Sequence, residues 1–434
     1  MNSSPSSSRT GLALKKKLIN PAPSRKEHQL PPQQQPLKPE EPQISNEEIN
    51  AGAQSFASGE NHGSTVYTFN PHIDVARTSQ SSSTMKRCEI KLLDDQNCSP
   101  YRYMREKLTD KIEALDERIE YFINLFKKCH NIKEIFDPSR PNQEPITTVG
   151  RICCDSEGKL NTSSIMLESS QNLVDGINVT GNVLDVSKIY ELPLLPMPVT
   201  STAAITNYNY GKARLNGGDM TVVVAAGPFT MESNLDFVPF AQLMENMKSV
   251  KPDVLILMGP FIESNHALIK SGEIDYALET IFSKFISYPI RQFIKSSPAS
   301  QVIMIPSVKD ITHYGAVFPQ PPFEQTLNHS LGIPPGVLLY PNPAQFRINE
   351  IVFGVGANEI ISHLSAAECQ RNLTTERMVQ LCRHVLEQQS FYPIFPPYTG
   401  VNLSLTHSNR LQLKVLPDVL ILPSRHLHYF VKVR

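Results

Sequence analysis

Hydrophobic residues in this chain fall into two kinds of pattern. Short, nearly continuous apolar runs bounded by Gly or Pro occupy residues 221–229, 253–261, 301–307 and 417–424. Runs of that length read as strands of a sheet covered on both faces. A recurrence of three and four marks residues 101–129, where Met104, Leu108, Ile112, Leu115, Ile119, Phe122 and Phe126 line one face of a helix. Charged residues fill the other face, so the stripe packs on its own chain or on a partner. The same period predicts a helix at 240–250, packed by Phe240, Leu243, Met244 and Met247. It predicts another at 274–294, bent near Pro289, and a third at 373–389, capped by Thr374 or Thr375. A further strand is expected at 348–355.

Between 144 and 195 the pattern shortens. Segments at 145–154, 163–168 and 178–186, with Gly158 in a turn, suggest a small barrel. Residues 196–219 are rich in Pro and Gly and read as a linker. Beyond 220, strands alternate with helices, as in an α/β sandwich. The plan is therefore a 1–84 tail, a connecting segment with the amphipathic helix at 85–132, a β domain at 133–195, the linker, and the α/β domain at 220–434.

Composition sharpens the two ends of this plan. Residues 1–84 are rich in Ser, Pro, Gln and Asn and poor in apolar side chains. Such a segment buries too little surface to offset its ordering entropy and is expected to be disordered. Lys15-Lys16-Lys17 with Arg25-Lys26 reads either as a split nuclear-import signal or as a solvated basic patch. The spacing of Pro36, Pro39 and Pro42 is expected by chance in so Pro-rich a tail. A formal net charge of -1 over 434 residues gives no global pull toward nucleic acid or membrane. The seven cysteines are scattered, without a C-x-x-C pair, which fits free thiols in a reducing compartment. No apolar run approaches the ~20 residues of a membrane span. The polar N-terminus argues against a secretory signal, so a cytosolic or nuclear location is expected.

In open α/β sheets, reacting groups sit at the carboxyl ends of the strands. Here those ends read Ala226-Gly227-Pro228, Gly259-Pro260-Phe261-Ile262-Glu263 and Pro306-Ser307-Val308. A two-cation phosphoesterase needs Asp, His and Asn from several strand ends to hold cations ~3.5–4 Å apart. Pro and Phe cannot coordinate hard cations. Two histidines cut the other way: His426 and His428 follow the last apolar run and are the remaining metal candidates, or else surface histidines. Asp310 with His313 forms a conceivable acid–base pair, and Glu263 with His266 follows the second strand. No Ser-His-Asp order, Walker loop or GxGxxG fingerprint is present, and Gly354-Val355-Gly356 is too short to cradle a phosphate. No cofactor is implied. Residues 144–195 carry Tyr190 as their only aromatic side chain, a poor platform for single-stranded DNA. Pro-rich aromatic loops at 318–323 and 392–398 read equally as a protein interface or as loops closing the core. The interface candidates are Phe318, Pro321, Phe323, Tyr392, Phe395 and Tyr398. Ser4-Pro5, Ser99-Pro100 and Ser297-Pro298 have the form of proline-directed phosphorylation sites.

Seven stretches taken in order, 151–161, 223–230, 252–261, 306–310, 318–323, 391–397 and 417–424, resemble the B-subunit family of DNA polymerase alpha, over roughly residues 100–434. The resemblance implies a mixed α+β chain: an OB-type β-barrel joined to a calcineurin-like phosphoesterase sandwich that has lost catalysis, behind a disordered N-terminal tail. It implies a nuclear, non-catalytic accessory subunit in DNA replication. The expected partners are the C-terminal domain of the polymerase alpha catalytic subunit and, through the complex, the primase subunits, with DNA contact at most indirect or weak and no membrane. Against the family pattern the chain skips a stretch between Gly176 and Ile177, so the barrel is expected to be incomplete. It also ends sooner after Tyr429-Phe430-Val431-Lys432, and no counterpart of the family's small N-terminal helical domain is visible. The alternatives are a metal-dependent phosphodiesterase or nuclease using His426 and His428, and the accessory subunit of polymerase delta or epsilon.

Overall fold

The computed structural model describes residues 65, 68, 86–93, 101–103, 105–140, 142–154, 165–173, 186–196, 219–324, 330–369 and 376–424. All of these fall in one compact unit, Ile49–Arg434. The expectations for most of the 1–84 tail, Ser99, Met104, most of the 178–186 strand and the 196–219 linker, Thr374, Thr375, His426 and His428 lie outside the described residues.

Along the chain the described elements are β1 (Ile90–Leu92), α1 (Leu108–Cys129), β2 (Arg151–Cys154), β3 (Ile165–Glu168), β4 (Val222–Ala226), α2 (Val238–Val250), β5 (Val254–Met258) and α3 (Ala267–Ser271). Then come α4 (Leu278–Phe282), a π-helical turn (Ser283–Ser287), α5 (Tyr288–Ser296), β6 (Gln301–Ile305), β7 (Leu338–Leu339), β8 (Ala344–Ile348), β9 (Ile351–Val355), α6 (Ile360–Ala367), α7 (Arg377–Glu387) and β10 (Val419–Ile421).

Strands β4, β5, β6 and β7 pair in parallel in that order. Every residue of β5 and β6 is buried, because both faces of this sheet are covered. Leu255, Leu257, Val302 and Met304 pack against Phe240, Met244 and Met247 of α2 and against Phe282, Ile286 and Phe293 of the helical segment 278–296. Val254, Ile256, Met258, Ile303 and Ile305 point the other way, onto Phe346, Ile348, Phe353 and Val355 of a second sheet. That second sheet has the order β1-β8-β9-β10. Beyond it, Leu420 and Leu422 join Ile360 and Ile361 of α6 and Leu381 and Val385 of α7 in a third cluster. The result is a four-layer α/β/β/α arrangement, in which strand alternation sends successive side chains to opposite cores.

Three sequence expectations change. The apolar run at 417–424 forms β10, which pairs in parallel with β9 in the second sheet and not with the other three runs. The expected strand at 348–355 is the end of one strand and the whole of the next, split at Asn349, whose φ of 53° is a turn conformation that Asn tolerates. Residues 86–92, read as part of a connecting segment, belong to the sandwich. There β1 pairs antiparallel with β8, Cys88 enters the inter-sheet core, and Arg87 pairs with Asp253 at 3.3 Å.

The smaller part of the unit is built on α1. Its Ile119 and Ile123 pack with Ile132, Ile135, Val149 and Leu173, next to the antiparallel β2–β3 pair. Among the described residues of 144–196, β2 and β3 are the only strands. This part is fastened to the sandwich near the end of α7. Arg118 donates to the Gln388 carbonyl at 2.8 Å, and the Tyr121 hydroxyl donates to Gln389 Oε1 at 2.5 Å. The Arg151 guanidinium lies 4.8 Å from the Phe395 ring centroid while it pairs with Glu168. Among the described residues, no helix is long and apolar enough to cross a membrane.

Candidate functional site: the crest of the parallel sheet

The strand register sets the geometry. Ala226 pairs with Met258, and Met258 with Ile305, so the three strands leave the sheet side by side. The chain beyond them forms one crest, the position from which an open α/β sheet presents its chemistry. Gly227 N–H donates to the Met258 carbonyl and Gly259 N–H to the Ile305 carbonyl, both at 2.9 Å, so pairing runs past the strand ends. A Cβ on Gly227 would stand 2.0 Å from the Pro260 carbonyl oxygen, and one on Gly259 would stand 2.2 Å from Asp310 Oδ2. Only glycine lets the backbones approach this closely.

The residues after these glycines turn inward. Phe229 and Phe261 are 5% and 0% exposed, and their rings stack with centroids 5.6 Å apart. Phe229 also meets Phe240 edge-on, and Phe261 meets Phe282 and Phe323. Where an enzyme of this plan would carry ligands, the chain carries the aromatic centre of its first hydrophobic core.

One buried carboxylate lies at the crest, with the half-buried Glu263 joined to it by a β-bridge. Asp310 is buried, and its two oxygens accept the backbone N–H groups of Phe261, of Ile262 at 3.2 Å and of Ser307 at 2.8 Å. It thus ties the segment after β5 to the segment after β6. Burial raises its pKa to about 7, while the three N–H donors act in the opposite direction. His313 is buried as well. Its Nδ1 accepts from Gly315 N–H at 2.9 Å and lies 3.0 Å from Gln320 Nε2, and its ring meets Phe323 edge-on. Burial lowers its pKa, so the ring is neutral at pH 7. Gln320 Nε2 donates to the Ser307 carbonyl at 3.1 Å and the Gly315 carbonyl at 2.7 Å, and Asn342 Oδ1 accepts Ala357 N–H at 2.9 Å. His266 Nε2 lies 2.9 Å from the Met231 carbonyl while its Nδ1 accepts Leu268 N–H, which caps α3.

The Asp310, His313 and His266 side chains bond to other groups and not to each other. Asp310 and His313 meet backbone groups and Gln320, and each has its hydrogen-bonding capacity engaged in holding loops. Among the described residues, no three His, Cys, Asp or Glu side chains group closely enough to hold a metal ion. The donor set at the crest, Asp310 held by three backbone amides with Glu263 beside it amid Phe and Pro, lacks the several Asp, His and Asn ligands that a two-cation centre needs.

The interface candidates differ in burial. Phe318, Pro321, Phe323 and Tyr392 are buried. Phe323 belongs to the core under the crest, and Phe318 and Tyr392 pack in the cluster around α6 and α7. Their loops close the core, because proline fixes the path of a loop but not the face it turns outward. Phe395 is half-buried beneath Arg151, and Tyr398 is 44% exposed, stacked on His363 at 4.5 Å. Ser297 is 4% exposed, which places this Ser-Pro site out of a kinase's reach in the folded chain.

Sequence reasoning missed a polar strap. The Tyr101 ring lies between His407, centroids 3.9 Å apart, and the Arg410 guanidinium at 4.6 Å. The Tyr103 hydroxyl donates to the Tyr314 carbonyl. Glu106 accepts from Ser404 Oγ at 2.5 Å, Thr406 Oγ1 at 2.8 Å and Thr406 N–H at 3.2 Å, and these bonds hold its pKa below the usual range against the effect of burial. The strap pins the start of α1 to the sandwich. Its hydrogen-bond partners lie 211 to 300 residues away in sequence, so no local pattern announces it.

Several comparisons with known proteins point to one family. The family model for the B subunit of DNA polymerases alpha and epsilon matches residues 222–432. The model for the OB domain of the DNA polymerase alpha B subunit matches residues 112–204, a span that begins inside α1. The B subunit of DNA polymerase alpha from Schizosaccharomyces pombe is 33% identical over 373 residues, 76% of this chain and 63% of that protein. The protein of the same name from Bos taurus is 30% identical over 406 residues, 88% of this chain and 65% of that protein. The one from Drosophila melanogaster is 33% identical over 216 residues, 49% of this chain and 33% of its own length. The chain spans 63–65% of the length of the first two relatives.

Proposed function

Because the chain belongs to the B-subunit family of DNA polymerases alpha and epsilon, matched by that family's model at 222–432 and by the polymerase alpha OB-domain model at 112–204, we propose that it is a non-catalytic accessory subunit of a polymerase alpha–primase complex. In this reading it acts in the nucleus, in the initiation of DNA replication. The sandwich is a phosphoesterase fold whose reactive crest has become core, and the α1–β2–β3 part belongs to an OB-type barrel. Together they give a rigid surface that grips the C-terminal domain of the catalytic subunit and meets primase through the complex. DNA contact is indirect or weak.

The observation that carries this reading is the state of the crest. Its single buried carboxylate accepts three backbone N–H groups, and Phe229 and Phe261 fill the space beneath. A side chain engaged in this way holds loops in place, with three of its roughly four acceptor sites taken by backbone N–H groups. The four-layer architecture and the matching family models support the same reading.

The test is co-expression of the full chain with the C-terminal domain of a polymerase alpha catalytic subunit. A soluble one-to-one complex that stays together through size exclusion is expected. A monodisperse chain that ignores that domain, or that selects a delta or epsilon catalytic subunit instead, would overturn the proposal.

A further inference from the structure

The apolar stripe of α1 changes character along its length. Ile119, Phe122, Ile123 and Phe126 are buried, yet Leu108 is 74% and Ile112 is 40% exposed. One continuous stripe is thus half used, and its first two turns expose Leu108 and Ile112. These turns are also firmly held. The strap bonds of Glu106 to Ser404 and Thr406 end two residues before Leu108. Lys107 N–H donates to the Asp110 carboxylate at 3.1 Å and closes the first turn. Two large apolar side chains are therefore presented to solvent in fixed positions, where a frayed end would have let them collapse.

Most of the exposed charge beside the start of the helix is cationic. Arg102, Arg105, Lys107 and Lys111 are exposed around the start of the helix. The acids nearby are turned to other work: Glu106 is bound to Ser404 and Thr406 and lies 4.0 Å from Lys111, Asp110 caps the helix, and Asp116, beside the stripe, accepts Gln171 N–H at 2.8 Å. Glu113 falls about 140° around the helix from Leu108 and faces away from the stripe. A second copy meeting this surface through the same patch would bring cations against cations, which disfavours self-association.

We propose that the first two turns of α1 are a docking surface for an acidic amphipathic helix of another chain. In that partner, Leu, Ile or Phe at spacings of three and four would cover Leu108, Ile112 and the half-buried Leu115, and flanking Asp and Glu would meet the basic rim. Helix-on-helix recognition of this kind reads apolar anchors for affinity and rim charges for orientation and rate. The proposal does not depend on the polymerase reading, and its test contains no polymerase chain, so either can fail alone.

The probe is a fluorescein-labelled helical peptide of about 18 residues, long enough to hold a helix, with leucines at i, i+3, i+4 and i+7 and glutamates on both flanks. A counterpart carries lysines in place of the glutamates. Fluorescence anisotropy with the full chain should show binding of the acidic peptide and none of the basic one. Leu108→Ser with Ile112→Ser should weaken binding about tenfold or more, as loss of two anchors does. Arg105→Glu with Lys107→Glu should weaken it too, and added salt should mimic that loss. The proposal is overturned if the acidic peptide does not bind, if both peptides bind alike, or if the serine variant binds as tightly as the parent. A serine variant that melts several degrees lower would mean that the chain covers its own stripe. A concentration-dependent dimer dissolved by the same substitutions would give the surface to a second copy. Either result also overturns it.

Discussion

The crest of the parallel sheet and the first two turns of α1 treat the same kinds of side chain in opposite ways. At the crest, Phe229 and Phe261 are buried and Asp310 is bonded on both oxygens. At the start of α1, Leu108 and Ile112 face solvent within a basic rim. A reader looking for chemistry goes to the crest, because strand ends are where α/β sheets usually react. The comparison separates position from capacity. The crest has the position of an active site but has committed its groups to cohesion, while a helix face with no catalytic group keeps its surface available.

Substitutions at the two regions should therefore cost very different amounts. Phe261→Ala should have the largest effect, destabilising the sandwich by about 3–5 kcal/mol in urea unfolding, because it empties the aromatic centre under the crest. A loss below about 1 kcal/mol would mean the crest is not core. Asp310→Asn comes next, at about 2–3 kcal/mol, because an amide NH2 would face backbone donors that need an acceptor. This variant also carries a pH signature. The folded pKa of Asp310 is raised to about 7, so its contribution to stability is fully present below the unfolded value near 3.8 and is lost as pH rises through 7. The stability difference between the parent and Asp310→Asn should shrink between about pH 4 and pH 7. A difference that grows over this range would place the carboxylate's pKa below its ordinary value and invert the assignment.

Glu106→Gln sharpens the other side of the comparison. It weakens the charge-assisted bonds to Ser404 and Thr406 and should cost about 1 kcal/mol. Its clearest trace should be faster amide exchange in the first turns of α1, with the core of β5 and β6 unchanged. Leu108→Ser with Ile112→Ser should change stability by less than about 0.5 kcal/mol, as exposed positions do.

Much of the fold was legible because its signals are local. β5 and β6 are short apolar runs buried on both faces, β4 is the edge strand of their sheet with Val224 exposed, and α2 declares itself by period. The start and bend of the 274–294 helix were blurred by a π-helical turn at Ser283–Ser287, which widens the helix just before Pro289, a residue with no N–H to offer the preceding turn. Elements defined by distant partners were hidden. β1 is three residues long and is a strand only because β8 lies beside it. The strap at Tyr101, Tyr103 and Glu106 reads as ordinary polar sequence until residues 404–410 come against it. At the site, the missing ligands were plain in the strand-end sequences. That Asp310 and His313 would be consumed by backbone and Gln320 was not, because Asp-x-x-His looks the same whether it faces water or a neighbouring loop. The Pro-aromatic loops were ambiguous for the same reason, and burial decides them.

The most direct measurement is a manganese titration of the full chain and of Asp310→Asn, followed by calorimetry and electron paramagnetic resonance, with a phosphodiester assay on the same samples. The expected result is no binding tighter than about 1 mM that depends on Asp310, and no turnover. Stoichiometric, spin-coupled manganese that supports hydrolysis and disappears in Asp310→Asn would contradict the assignment of the crest as core.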